Sequence, residues 1–342
     1  MEFQIIWFVL WGILWAAYFM TDGFDLGVGI LYNLLGKDDN EKRAIIHSIG
    51  PVWDGNEVWL ITAGGATFAA FPRTYALMFS YLYTALLLLL FALIIRGVSF
   101  EFRGKVDNAD WKASWDKAIG VTGFLLALLF GVAFGNIFKG LPMDAAGYHG
   151  TFFSLLNPYG LLTGALFLLL FAMHGALYCS VKTTGDLCSR AEALAGKLWA
   201  PLLVVAVAFL VYSKIDTTLL DNYFSMPALL VIPLVAVGSL LAVKLFMVKK
   251  AWYKAFAASC ATVLFITFTG VAGLFPNLIP SSLDPVWSLT IYNSSSSQYT
   301  LKIMTVVAFI FVPIVIAYKI WVYRIFRARV TEDDVLKKSE AY

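Results

Sequence analysis

The amino-acid sequence predicts an all-α polytopic membrane protein, and three observations carry that expectation. Of 342 residues, 60% are hydrophobic and only 14% charged, whereas soluble domains carry about 25% charged residues. Apolar runs long enough to cross a hydrocarbon layer of about 30 Å recur along the whole chain. Lys and Arg gather in short clusters between those runs.

The first run covers about 4–32 and starts without the basic stretch and small-residue cleavage site of a signal peptide, so it is expected to stay as an anchor. Further spans are expected at about 44–71, 75–96, 117–138, 156–180, 198–214, 226–248, 252–275 and 301–322, nine in all. The sixth and ninth are short in charge-free length, and Lys214 and Lys302 at their ends can snorkel to the headgroups.

Placing Lys and Arg on alternate sides of these spans puts 21 on one side and 4 on the other, out of 25. Positive charge stays in the cytoplasm, so the N-terminus is expected outside and the C-terminus inside, with a cytoplasmic tail over 323–342. The outer stretch 275–300 is the longest loop, too short for a soluble domain. One transmembrane domain over 1–342 is expected.

The net charge of +3 says nothing in favour of nucleic acid, since Lys and Arg form no single basic stripe, and no nucleic-acid partner is expected. Cys179, Cys188 and Cys260 have neither an even count nor CxxC spacing, so they are expected to pack rather than to bridge or hold a metal. No GxSxG, Walker, Rossmann or zinc-site pattern occurs. Gly23 with Gly27, and Gly131 with Gly135, have the small-residue spacing that lets helix backbones approach closely.

Charges within the spans are the informative feature, because a charged side chain in hydrocarbon costs several kcal/mol unless it pairs or reaches water. The first two helices hold nearly all of them: Asp22 and Asp25 on the first, His47, Asp54 and Glu57 on the second. Spacings of three and seven put Asp22 with Asp25, His47 with Asp54, and Asp54 with Glu57 on shared helix faces. At 1.5 Å per residue, Asp25 lies about 30 Å from the outer entry of the first helix and Asp54 about 15 Å from the inner entry of the second. Such a cluster faces the cytoplasm and suits proton relay; the alternative is a polar patch where helices meet or a partner docks. His174, alone in an apolar helix, could ligate a heme iron, although a lone intramembrane histidine more often bonds a neighbour. His149, near Asp144 and Tyr148, is expected in the outer loop and solvated.

Two long motifs carry a family likeness. The run Thr21-Asp-Gly-Phe-Asp-Leu-Gly-Val-Gly29, followed by Pro51-Val-Trp-Asp-Gly-Asn-Glu-Val-Trp-Leu-Ile-Thr-Ala-Gly-Gly-Ala66, closely resembles subunit II of the cytochrome bd quinol oxidases. Gly131-Val-Ala-Phe-Gly-Asn136, Leu155-Leu-Asn-Pro-Tyr-Gly-Leu-Leu162, the Phe275 to Ser282 stretch and Ser297-Gln298 extend the likeness over nearly the full length. It implies nine helices in two four-helix bundles plus one peripheral helix, in a multi-pass subunit of the bacterial cell membrane. It implies a partner subunit I of similar fold, often with a single-helix small subunit. The complex would oxidise quinol and reduce dioxygen to water with protons from the cytoplasm. Two hemes b and one heme d would lie mainly in subunit I, so no catalytic residue and no metal ligand is expected in this chain. The family position implicated in a proton path matches Asp54, and Asp25 lies in the first motif. The sequence departs from some relatives at Glu57, where they have glutamine, and in a shorter outer loop near 216–225.

Two other readings compete. A secondary transporter would use Asp22, Asp25, Asp54 and Glu57 to bind a cation, yet transporters carry matching broken helices in both halves, and here the charges concentrate in the first two helices. A purely structural subunit would use the acidic cluster for docking.

Overall fold

The computed structural model describes residues 2–331 and Asp334; Lys337 and Lys338, counted above among the tail's positive charges, lie outside the described residues. Twelve α-helices follow one another: α1 (Glu2–Leu35), α2 (Asp39–Ile49), α3 (Trp53–Ala70), α4 (Pro72–Tyr81), α5 (Tyr83–Phe102), α6 (Ala109–Lys139), α7 (Pro158–Lys182), α8 (Gly185–Asp216), α9 (Asp221–Ser225), α10 (Val231–Val248), α11 (Trp252–Leu274) and α12 (Gln298–Ile325). Among the described residues eight helices, α1, α5, α6, α7, α8, α10 with its preceding turn, α11 and α12, are long and apolar enough to cross a membrane.

The segment expected as one helix over 44–71 is α2 and α3 with a break at 50–52. Pro51 explains the break, because it has no N–H to bond the carbonyl four residues back and its ring crowds that carbonyl. Pro72 likewise ends α3 and starts α4 at a position where a missing N–H costs nothing. The run expected over 75–96 lies in α4 and α5, parted at Leu82. The sixth apolar run extends backward into a polar stretch, so that α8 begins at Gly185 rather than near 198.

Side chains close the helix starts. Asp38 accepts from the Glu41 amide at 2.9 Å, Asn108 from Trp111 at 3.0 Å and Asn157 from Gly160 at 3.0 Å, each satisfying an orphan N–H of the first turn. Gly140, at φ +92°, ends α6 in a conformation that favours glycine.

α1 is the central element, packed against α3, α6, α7 and α11. The contact with α7 depends on glycine: a Cβ on Gly27 would collide with the Phe171 carbonyl, and one on Gly175 with the Gly27 backbone. Gly131 meets the backbone of Thr163 and Gly164 in the same way, so α6 and α7 also touch backbone to backbone. The glycine spacings read in the sequence thus serve packing within the chain. Between these contacts, Trp15, Phe19, Phe130, Phe134, Phe167 and Phe171 fill the core edge to face.

At the end of the fold where α1 begins, two short hairpins form a cap. Strands β1 (Met143–Asp144) and β2 (Gly147–Tyr148) pair antiparallel, as do β3 (Asn277–Ile279) and β4 (Leu289–Thr290). The Leu141 amide donates to the Pro280 carbonyl at 2.9 Å and the Ser282 amide to Leu141, joining the two hairpins. At the opposite end, rich in Lys and Arg and called here the basic face, the Lys182 ammonium donates to the carbonyls of Phe326 and Ala328 and so holds the chain after α12. α12 itself lies at the edge, and Leu301 is its one buried residue.

Candidate functional site: a buried acidic cluster on the first helix

Asp22 and Asp25 lie one turn apart on α1, both fully buried. Asp22 is held by Arg96 of α5 through both oxygens, Arg96 Nη2 to Oδ1 at 2.5 Å and Nη1 to Oδ2 at 2.9 Å. Arg96 Nη1 also reaches Glu57 Oε1 of α3 at 3.3 Å. This planar, two-pronged pairing is what a guanidinium offers a carboxylate and an ammonium does not. The arginine is 1% exposed, Asp22 0% and Glu57 21%, so Glu57 is the member of the triad nearest the surface.

Asp25 has a different environment. Its Oδ2 accepts from the Asn56 amide at 2.7 Å, while its Oδ1 is buried with no hydrogen-bond partner. Asn56 is fully buried, also donates to the Thr21 carbonyl at 3.3 Å, and accepts at Oδ1 from the Tyr323 hydroxyl of α12 at 2.8 Å. An unpartnered buried carboxylate oxygen is costly, and it sits one turn along the helix from an ion triad in which Arg96 bonds both oxygens of Asp22 and leaves only its Nε without a partner.

Two of the expected site residues take other places. Because α2 and α3 are separate helices, His47 and Asp54 do not share a helix face; His47 belongs to the last turn of α2 and is half-buried. Asp54, in the first turn of α3, is exposed on the surface of the chain rather than gathered with Asp25. The close neighbour of this turn on α12 is Lys319, whose ammonium lies against Gly55 and within electrostatic reach of both Asp54 and Asp25.

Arg96, Tyr323 and Lys319 are the members of the site that the sequence alone did not single out as such, while Asn56 was visible in the polar stretch with Asp54 and Glu57 but its bonds were not. Arg96 and Lys319 read as charges of the basic face, and only the pairing of Arg96 with Asp22 shows that it turns inward. The available signal was its position: Arg96 closes an uninterrupted apolar run and is followed by six more helical residues before α5 ends.

His174 does not join the acidic site. Its Nδ1 lies 2.7 Å from Ser259 Oγ and its Nε2 3.0 Å from the Met20 carbonyl, with the ring stacked on Phe256. Both nitrogens are engaged by protein atoms, so the ring offers no lone pair to an iron. His149 pairs with Asp144 at 2.8 Å in the hairpin cap. Among the described residues no group of three or more His, Cys, Asp or Glu is placed to hold a metal ion, and the three cysteines are free thiols.

A second ionic cluster lies at the basic face. Asp116 of α6 accepts from Arg103 Nε at 2.5 Å, Lys42 at 2.9 Å and the Tyr32 hydroxyl at 3.0 Å, and Arg103 also donates to Asp39 at 2.8 Å. It ties α2 to α1, α6 and the end of α5. Burial pushes the Asp39 carboxyl up, but its hydrogen bond and charge attraction to Arg103, with Lys112 adding to them, hold it below the usual carboxylate range.

The model of the cytochrome bd terminal oxidase subunit II family matches residues 3–326. The chain belongs to that family. It is 38% identical to the cytochrome bd-I ubiquinol oxidase subunit 2 of Escherichia coli K12, covering 99% of this chain and 98% of that one. It is 37% identical to the cytochrome bd ubiquinol oxidase subunit 2 of Bacillus subtilis, covering 96% and 97%. A probable cytochrome oxidase subunit 2 of Haemophilus influenzae is 38% identical, covering 94% and 93%. The fold matches a chain of the bd oxidase of Geobacillus thermodenitrificans at a TM-score of 0.78, covering 95% and 99% of the two chains at 19% identity. In this subunit II, the motif over 21–29 supplies Asp22 and Asp25, and the motif over 51–66 supplies Asp54, Asn56 and Glu57.

Proposed function

We propose that this chain acts as the second subunit of a bacterial cytochrome bd quinol:dioxygen oxidoreductase, holding the heme-bearing subunit I and lining a path for protons taken from the cytoplasm. It has no activity alone. Asp25 carries the reading: a carboxylate inside the helix bundle, bonded on one oxygen and open on the other, beside acids already neutralised in part by Arg96. Asp54 extends the path to the surface of the chain, where subunit I would cover it, and Glu57, three residues after Asp54 on the same helix and paired with Arg96, has partial access.

The positive charges on the basic face support an N-terminus outside and a C-terminus in the cytoplasm. With α2 and α3 taken as one broken crossing beside the eight apolar helices, the chain makes nine crossings in one transmembrane domain. The two hemes b and the heme d belong to subunit I in this reading. The bonded state of both His174 nitrogens supports that assignment. A single-helix small subunit and lipid complete the complex, and quinol is its reductant.

The test uses the purified complex. Asp25→Asn and Asp54→Asn should each leave heme content normal and slow quinol-driven oxygen uptake about a hundredfold, the lower range for loss of a proton-transfer group. Normal turnover in both would defeat the proton-path reading. Loss of heme content with unchanged turnover per heme would favour the docking role instead, for which the exposed Asp54 is the observation in favour.

A further inference from the structure

α12 stands off from α1 and α3 across an open cleft of about 1030 Å³. The walls are almost wholly apolar, with Trp7, Leu14, Ala66 and Ile303 among them. One polar contact crosses to the acidic site at the cleft's basic end, the bond from the Tyr323 hydroxyl to Asn56 Oδ1 at 2.8 Å.

That bond has a directional consequence. The Asn56 Nδ2 faces two acceptors, Asp25 Oδ2 at 2.7 Å and the Thr21 carbonyl at 3.3 Å. Its Oδ1 therefore needs a donor on the other side, since a buried amide oxygen without one is costly. Tyr323 is that donor. If the amide turned over, its oxygen would point at the Asp25 carboxylate and two acceptors would meet. The hydroxyl on α12 thus fixes which way Asn56 points, and Asn56 fixes one oxygen of Asp25. The other oxygen, Oδ1, is left buried and unpartnered.

We propose that Tyr323 is a positioning residue for proton transfer at Asp25, acting through Asn56, so that the edge helix α12 sets which Asp25 oxygen is open to the proton. The inference rests on the proton-path reading above and adds a residue to it. An amide does not itself pass the proton in this arrangement; the hydroxyl and the amide orient the carboxylate, and the proton arrives at Oδ1.

The experiment uses the whole purified complex and three variants, Asp25→Asn, Tyr323→Phe and Asn56→Ala. Infrared difference spectroscopy identifies the Asp25 carboxyl as the signal that Asp25→Asn abolishes. In Tyr323→Phe, which keeps the ring and removes one oxygen, that signal should shift, and turnover should fall by about ten- to a hundredfold, the scale of a misplaced reacting group. Heme content and the quinol KM should stay unchanged. Adding Tyr323→Phe to Asn56→Ala should slow turnover no further, because the hydroxyl acts through the amide. An unmoved Asp25 signal in assembled Tyr323→Phe complex, whatever its yield, overturns the proposal, as does an additive double variant. If Asp25→Asn itself turns over normally, the proton-path reading fails first, and that result is separate from one in which only Tyr323→Phe is silent.

Discussion

Arg96→Met removes the one cation that binds Asp22 through both oxygens and also touches Glu57. Two outcomes are physically distinct. If Arg96 behaved like a surface residue reaching toward the headgroups, its ion pairs would contribute at most about 1 kcal/mol. With the arginine 1% exposed and Asp22 fully buried, truncation instead strands a buried carboxylate without its cation, a change that costs about 3–5 kcal/mol. At about 1.4 kcal/mol per factor of ten, that is a shift of two to more than three powers of ten in the folding equilibrium. The assay is denaturant unfolding of the purified complex in detergent, followed by helical signal and by heme retention. Arg96→Lys should recover only part of the loss, because an ammonium cannot grip both oxygens in one plane. The pair Asp22→Asn with Arg96→Met should be more stable than Arg96→Met alone, with a coupling of at least about 2 kcal/mol. A loss below about 1 kcal/mol for Arg96→Met, or two additive single variants, would refute the argument that this ion triad is buried and mutually dependent.

Other outcomes follow from the same geometry. Gly27→Ala places a methyl on the Phe171 carbonyl of α7 and should destabilise by about 1–3 kcal/mol or more, seen as lost complex yield, whereas Gly64→Ala, with open space around it, should be neutral. His174→Ala should leave the reduced-minus-oxidised heme spectrum unchanged in the complex that assembles, and loss of one heme band would contradict the bonded state of its ring. Asp39 is held below its ordinary range, so its contribution is present above the unfolded carboxylate pKa of about 3.9 and is lost as pH falls through the lower folded value. Protection of the α2 amides against hydrogen exchange should therefore fall on acidification below about pH 4, and Asp39→Asn should reduce that dependence, with Asp116, ion-paired with Arg103 and Lys42, supplying the rest.

The helical class, the apolar runs and the acidic residues of the first motif were legible because hydropathy and charge are properties of single residues and short windows. The breaks were less so. Pro51 marks its own interruption, and its effect on the face shared by His47 and Asp54 is clear only once α2 and α3 diverge. Arg96 illustrates a second limit: an arginine near the end of an apolar run has the same sequence signature whether it reaches out to headgroups or turns inward. The partner that turns it inward, Asp22, lies 74 residues away. Asn56 was visible beside Asp54 and Glu57, but its role depends on Tyr323, 267 residues distant. Hydrogen-bond direction across such separations has no counterpart in local pattern.

The placement of the charges argues for where a proton path would run. Asp22 and Glu57 with Arg96 carry a formal charge of one negative inside the chain before Asp25 is counted, and among the described residues no further cation completes the set at hydrogen-bond distance. Lys319 sits on the edge helix against Gly55, within electrostatic reach of both the buried Asp25 and the exposed Asp54. A carboxylate exposed on a helix in the hydrocarbon layer is stable only beside water, a cation or a partner protein. Asp54 therefore marks the side of this subunit that lipid alone does not cover. If protons pass through this subunit as proposed, a line from Asp54 past Lys319 to Asp25 would put their entry at a subunit boundary rather than within the α1, α6 and α7 core, where glycines bring the helix backbones into contact.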